Sequence, residues 1–155
     1  MDIPVTARSA PAIPLLGAYA RLETRLRSTE WLSGLALLAV RLWLAKFFFF
    51  SGLTKIANFT TTIALFSDEY KVPVLPPNIA AVLSTTAELS LPVLLVLGLF
   101  TRFAGLGFFA MTTVIAVFVY PDAPENAYIL LLAATLVALG SGRFGADYWI
   151  AKKLG

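Results

Sequence analysis

The chain has 155 residues, 59% of them hydrophobic, and a formal net charge of +3, with a mean hydropathy of +0.82. It contains no cysteine and no histidine, which excludes disulfides, thiol nucleophiles, zinc fingers, iron–sulfur ligation, His-ligated haem or copper, and the Ser-His-Asp and Cys-His triads. Soluble domains are about 45–50% apolar; the excess here comes in blocks and marks an all-α, polytopic membrane protein, while a charge of +3 gives no reason to expect nucleic acid as a partner.

The chain opens with Met1-Asp2-Ile3-Pro4, which lacks the basic region and apolar run of a signal peptide. Leu15, Tyr19, Leu22 and Leu26 then recur at helical spacing with Arg21, Arg25 and Arg27 between them. This predicts an amphipathic helix on the cytoplasmic membrane surface; a solvated basic tail is the plainer alternative. Residues 1–30 are read as a cytoplasmic segment, 31–149 as a four-helix membrane domain and 150–155 as a cytoplasmic tail.

Four apolar stretches follow, from about Trp31 to Leu53, Asn78 to Leu99, Arg102 to Tyr120 and Ala127 to Gly140. A spanning helix needs about 20 residues. The first three meet this, and the fourth is short, so it starts nearer Pro124 or spans with help from its neighbours. Asn78 is a candidate N-cap for the second helix, and Thr101-Arg102 a very short turn that makes the second and third helices antiparallel neighbours. Within Thr54–Pro77, Ile63, Phe66 and Tyr70 fall at helical spacing and predict a short helix capping the outer face.

Lys and Arg counts orient the spans. Arg8, Arg21, Arg25, Arg27, Arg102, Arg143, Lys152 and Lys153 share one side, against Lys55 and Lys71 on the other. That balance puts both termini in the cytoplasm.

The remaining basic residues, Arg41 and Lys46, fall inside the first stretch, and Glu88 inside the second. A charge at bilayer depth costs roughly 2.5–3.5 kcal/mol on the mildest scale, so it has a partner, a water-filled cavity or a job. On a helical wheel Arg41, Phe48, Gly52 and Lys55 share one face, with Lys46 nearly opposite. The shared face is expected to turn inward, with Gly52 permitting close helix approach and Ser51 offering a hydroxyl. Lys46 is assigned to a second helix contact or to snorkelling.

Pro92 lies four residues after Glu88 and removes the donor to its carbonyl. Broken backbone is tolerated in lipid only under protein or cavity cover, so Glu88 should face the interior. Arg41 and Glu88 each lie about ten residues from the cytoplasmic ends of their helices, which predicts an Arg41–Glu88 ion pair. Such a pair either carries protons as a catalytic element or is a static bridge that fixes helix register. Arg102 is a positive-inside anchor or a site for an anionic head group or partner, and Asp147 is expected to bridge Arg102 or Arg143.

Arg41, Ser51-Gly52-x-x-Lys55, Glu88, Gly98-x-x-Thr101-Arg102 and Gly140-x-Gly142-Arg143-Phe144-Gly145-x-Asp147 together resemble the DoxX family of small bacterial membrane proteins, over about Trp31 to Trp149. The resemblance implies a four-helix bundle in the bacterial inner membrane and, for some members, a link to redox metabolism, including a subunit of a thiosulfate–quinone oxidoreductase. It says more about fold than about reaction.

Two functions are open on this basis. One is a redox-linked membrane subunit that binds a quinone, with Arg41, Ser51 and Lys55 as donors, Glu88 as proton carrier and electrons supplied by another protein or a bound cofactor. The other is a non-catalytic scaffold or transport accessory whose basic N-terminal helix and Arg102 recruit a partner. A proton-coupled transporter would require a homo-oligomer. No metal site and no covalent cofactor are expected.

Overall fold

The computed structural model describes residues 30–71 and 75–154; the amphipathic helix expected around Leu15–Leu26 lies outside them. The described residues form helices joined by turns, with no strand among them. Helix α1 spans Glu30–Ala57, and α2 spans Phe59–Leu65 and widens into a π-helical turn at Phe66–Tyr70. Helix α3 spans Pro77–Leu97, and α4 spans Thr101–Val114, prolonged by a second π-helical turn at Ile115–Val119. Helix α5 spans Glu125–Leu139 and α6 Ala146–Leu154. Glu30–Ala57, Pro77–Leu97 and Thr101–Val119 are each long and apolar enough to cross a membrane, and Glu125–Leu139 is a shorter apolar helix. The protein is a multi-pass membrane protein.

Local chemistry sets the boundaries. Pro77 opens α3, with Pro76 rather than Asn78 at the N-cap; proline suits the first helical position because its missing N–H would have no partner there. Gly98 ends the helix with φ 66°, and Phe100 follows with φ 49°. These two left-handed residues make the reversal at Gly98–Phe100, one step before the Thr101–Arg102 turn expected from sequence. Thr101 is already helical.

The closest pairings are α1 with α3 and α4 with α5; α3 meets α4, and α1 meets α5, over less surface. Small residues allow this approach. A Cβ on Gly52 would lie 3.1 Å from the Glu88 Cβ, and one on Gly105 would lie 3.1 Å from the Leu136 Cβ. Leu44, Phe48, Leu95, Phe108, Ala133 and Leu136 form the buried centre. The outward residues are apolar too: Phe50, Phe103 and Leu131 are 60–72% exposed, as a lipid-facing surface requires. At the Tyr120 end, Phe66, Ala80 and Ala81 pack with Phe59, Ile63 and Tyr70, so the connection after α1 caps the bundle as the spacing of its aromatics predicts.

Helix α1 has 28 residues, about 42 Å at 1.5 Å per residue, which exceeds a hydrocarbon core of about 30 Å. Its first turns carry the segment after α5. Gly34 lies under Phe144 and Arg143, Trp31 meets the Phe144 ring edge-on at 5.3 Å, and the Arg143 guanidinium sits 4.7 Å over the Trp31 ring.

Candidate functional site

Glu88 is 2% exposed and faces the bundle interior. Its partner is Lys55, whose Nζ donates to both carboxylate oxygens at 2.8 and 2.7 Å. Lys55 also donates to Ser51 Oγ at 2.9 Å, and Ser84 Oγ donates to Glu88 Oε1 at 3.2 Å. Thr62 ties the end of α1 in place by donating to the Lys55 carbonyl at 2.9 Å. All of the Lys55 donors that can reach α3 are thereby aimed at one carboxylate.

The expected Arg41–Glu88 pair does not form. Side chains on a helix lean toward its N-terminus. Glu88 lies level with Gly52, and Lys55 leans back one turn to reach it. Arg41, about three turns before Gly52, leans in the same N-terminal direction and therefore away from that level, to Leu95 and Phe144. Its Nη1 donates to the Leu95 carbonyl at 3.1 Å and its Nη2 to the Phe144 carbonyl at 3.0 Å. Equal counting from helix ends misplaced it because α1 runs well past the end of α3.

Arg41 belongs instead to a polar knot at the Arg102 end. Asp147 accepts from the backbone N–H groups of Phe100 and Thr101 at 2.8 Å each, and its own N–H donates to the Gly98 carbonyl at 2.9 Å. It therefore caps the start of α4 rather than bridging Arg102 or Arg143. Arg102 Nη1 donates to the Val137 and Ala138 carbonyls at 2.6 and 2.9 Å, satisfying the end of α5, where a cation also complements the helix dipole. Arg143 pairs with Glu30 at 3.4 Å. Lys46 is exposed on the outward face of α1, opposite the Arg41 face as the helical wheel requires.

Beside the Lys55–Glu88 pair lies a cavity of about 640 Å³. Ser51, Lys55, Ser84 and Glu88 form its polar wall, and the rest is largely aliphatic and aromatic. Its floor is Phe48, Thr112 and Ile129; its far end is bounded by Tyr70, Tyr120 and Glu125. Leu83 and Phe47 on its flanks are 54% and 42% exposed, so the cavity also reaches the lipid-facing surface. Near their shared turn α3 and α4 are close, with Leu91 filling the space beside Gly107; further along, Ala80, Ser84 and Glu88 of α3 and Thr112 of α4, with Ile115 and Val119 after it, line the cavity. π-Helical turns recur at functional sites, and those at Phe66–Tyr70 and Ile115–Val119 both line the cavity.

Several wall residues carry no advance signal of their own. Ser84 is legible only as one turn before Glu88. Thr112 is 1% exposed and its hydroxyl has no hydrogen-bond partner among the described residues. Asn126 donates to the Tyr120 carbonyl at 2.7 Å. Tyr120 donates its hydroxyl to Glu69 and meets Tyr70 edge-on at 5.9 Å. The hydrogen bond to Glu69, followed by burial, raises the Tyr120 pKa above the ordinary tyrosine value.

The DoxX family profile matches residues 36–121, which contain Arg41, Ser51, Lys55, Glu88, Thr101 and Arg102. The chain belongs to the DoxX family. No curated protein and no solved structure matches it significantly.

Proposed function

We propose that this protein is a membrane subunit of a redox-linked system and that its cavity binds a quinone. The observation that carries this reading is the pairing of an apolar cavity of about 640 Å³ with one polar wall containing Lys55 and Glu88. The volume and lining are typical of small-molecule sites. The pair is electrically neutral, so it suits a neutral carbonyl or hydroxyl better than a second charge. The openings at Leu83 and Phe47 give a lipid-dissolved molecule a direct route.

Lys55 and Ser51 would donate hydrogen bonds to a carbonyl, and the Thr112 hydroxyl would serve a second polar atom. Glu88 would exchange a proton through Lys55. A quinone takes up two electrons and two protons on reduction; the electrons would come from a partner protein, as the sequence offers no thiol or imidazole. Arg41 does not line the cavity and would act on it only by holding the end of α3.

In the bacterial inner membrane, the orientation set by Lys and Arg counts makes α5 a fourth span. It then places the Arg102 end, both termini and the basic N-terminal segment in the cytoplasm.

The test is to purify the protein from native membranes, extract bound lipids for mass spectrometry, and melt it with and without added ubiquinone or menaquinone. A ligand at 100 times its Kd stabilises by about 2.7 kcal/mol. Bound quinone with a raised melting temperature, both lost in Lys55→Met, is the expected result. Absence of bound quinone together with an unchanged melting temperature rejects the reading.

A further inference from the structure

The two ends of the bundle are sealed differently. Toward the Arg102 end, the cavity floor rests on Phe48 and Phe108, stacked at 4.3 Å with an interplanar angle of 21°, and neither is more than 2% exposed. Below them Leu44, Leu95 and Pro92 are fully buried. This apolar layer separates Phe48 from Arg41, seven residues and about 10 Å along α1. No polar side chain bridges it among the described residues: Arg41 turns away to Leu95 and Phe144.

Toward the Tyr120 end the lining changes character. Tyr70, Tyr120, Glu125 and Asn126 border the cavity there, and Tyr120 and Glu125 are exposed. Lys55 keeps 17% of its side chain accessible, against 3% for Glu88. Lys55 is thus the member of the pair that meets whatever enters, with Ser51 and Ser84 beside it.

We propose that the cavity is a half-channel: water and protons reach the Lys55–Glu88 pair from the Tyr120 face and not from the Arg102 face. Water in the upper cavity is consistent with its polar wall, since buried water needs two to four polar partners, which Lys55, Ser51, Ser84 and Glu88 supply. The layer beneath Phe48 and Phe108, built of Leu44, Leu95 and Pro92, offers none. The consequence for chemistry rests on the quinone reading above. A proton taken up or released at Glu88 would be exchanged with the Tyr120 side, so the reaction would be one-sided with respect to the membrane. The accessibility itself stands without any ligand.

The absence of cysteine makes this directly measurable, because single cysteines can be introduced with no background labelling. Ala87 lines the cavity next to Glu88 and gains only a thiol in Ala87→Cys; Ser84→Cys is a second probe should the first fail to accumulate. Asp122→Cys marks the Tyr120 face, Ala151→Cys the Arg102 face, and Ala45→Cys the apolar layer. Right-side-out and inverted vesicles are treated with a charged, membrane-impermeant methanethiosulfonate.

Ala87→Cys or Ser84→Cys should be modified in the vesicles where Asp122→Cys reacts. Modification should be lost where only Ala151→Cys reacts, and Ala45→Cys should resist from both faces. Modification of the cavity probes from the Arg102 face, equally from both faces or from neither overturns the proposal. Repeating the reaction with a short-chain quinone separates the two readings. Protection by the quinone supports occupancy of the same cavity, whereas unprotected but one-sided modification leaves the half-channel standing and counts against the quinone.

Discussion

Removing one member of the Lys55–Glu88 pair should cost far more than removing both. Glu88 is 3% exposed at its side chain and Lys55 17%, so neither charge can hydrate fully if its partner is lost. Breaking a buried pair costs about 3–5 kcal/mol, whereas replacing both members with apolar residues of similar volume is often neutral or stabilising. The residual exposure of Lys55 lets its ammonium find cavity water, so Glu88→Leu should fall near the lower end, at about 3 kcal/mol. Lys55→Met strands a more deeply buried carboxylate and should fall nearer the upper end. The double variant Lys55→Met/Glu88→Leu should recover most of the loss. Unfolding of the purified protein from detergent micelles in increasing SDS gives each value, and the cycle gives the coupling energy. Independent sites add within about 0.3–0.5 kcal/mol; additivity of that quality would show that the two groups do not depend on one another and would refute the pairing as the organising contact of the site. The double variant should also fold without binding quinone, which separates the structural role of the pair from the ligand role proposed for it.

Gly98→Ala should prevent accumulation of monodisperse protein, because φ is 66° there and a Cβ would overlap the Arg41 guanidinium and the Gly145 backbone; size-exclusion chromatography of a fluorescent fusion reads this. Asp147→Ala should destabilise by about 1–2 kcal/mol through loss of the cap on α4, and Asp147→Asn by less because one acceptor oxygen remains; SDS unfolding ranks them. Tyr120 has its pKa raised by its hydrogen bond to Glu69. Its contribution to stability is therefore present below the ordinary tyrosine pKa of about 10 and lost as pH rises through the higher folded value. Tyr120→Phe should remove one alkaline phase of the phenolate absorbance titration and lessen the fall of stability through that range.

Much of the arrangement was legible from residue spacing, and the misplaced contacts have a common origin. The inward face of α1 follows from 3.6-residue periodicity, so Arg41, Phe48 and Gly52 are all buried, and Lys46 faces out. The capping role of the Phe59–Tyr70 connection follows from the same periodicity. Glu88 faces inward because a carboxylate beside Pro92 has no other tolerable place in lipid. What spacing does not contain is axial offset. Nothing in α1 taken alone shows that its first turns extend beyond α3 to carry Trp31 and Gly34 against Phe144, and that overhang decides which cation meets Glu88. Nor does it show that Asp147, 46 residues beyond Thr101, caps the start of α4. Thr112 and Asn126 were silent for a different reason: each matters through what its neighbours leave open, and a void has no sequence.

The structure places an arginine where the fold is held and a lysine where the cavity opens, and the chemistry of the two side chains explains that division. Arg41 spans two carbonyls on different segments with its rigid fork. An ammonium is a compact point charge and cannot bridge both in that geometry. Lys55 sits at the end of a flexible stem and has three donors that reorient easily, so it can release Glu88 or Ser51 to meet an incoming oxygen. Exchanging the two should therefore fail in opposite ways. Arg41→Lys should lower stability nearly as much as Arg41→Met, by about 1–3 kcal/mol for the Phe144 carbonyl left without a donor, while any folded protein retains the quinone-dependent stabilisation proposed above. Lys55→Arg should keep the ion pair and the fold, but its larger planar head should occupy the space beside Ser51 and abolish that stabilisation. Melting curves of both variants, with and without quinone, decide the matter: if Arg41→Lys is stable and loses quinone binding, or Lys55→Arg binds normally, the division of labour between the two cations is wrong.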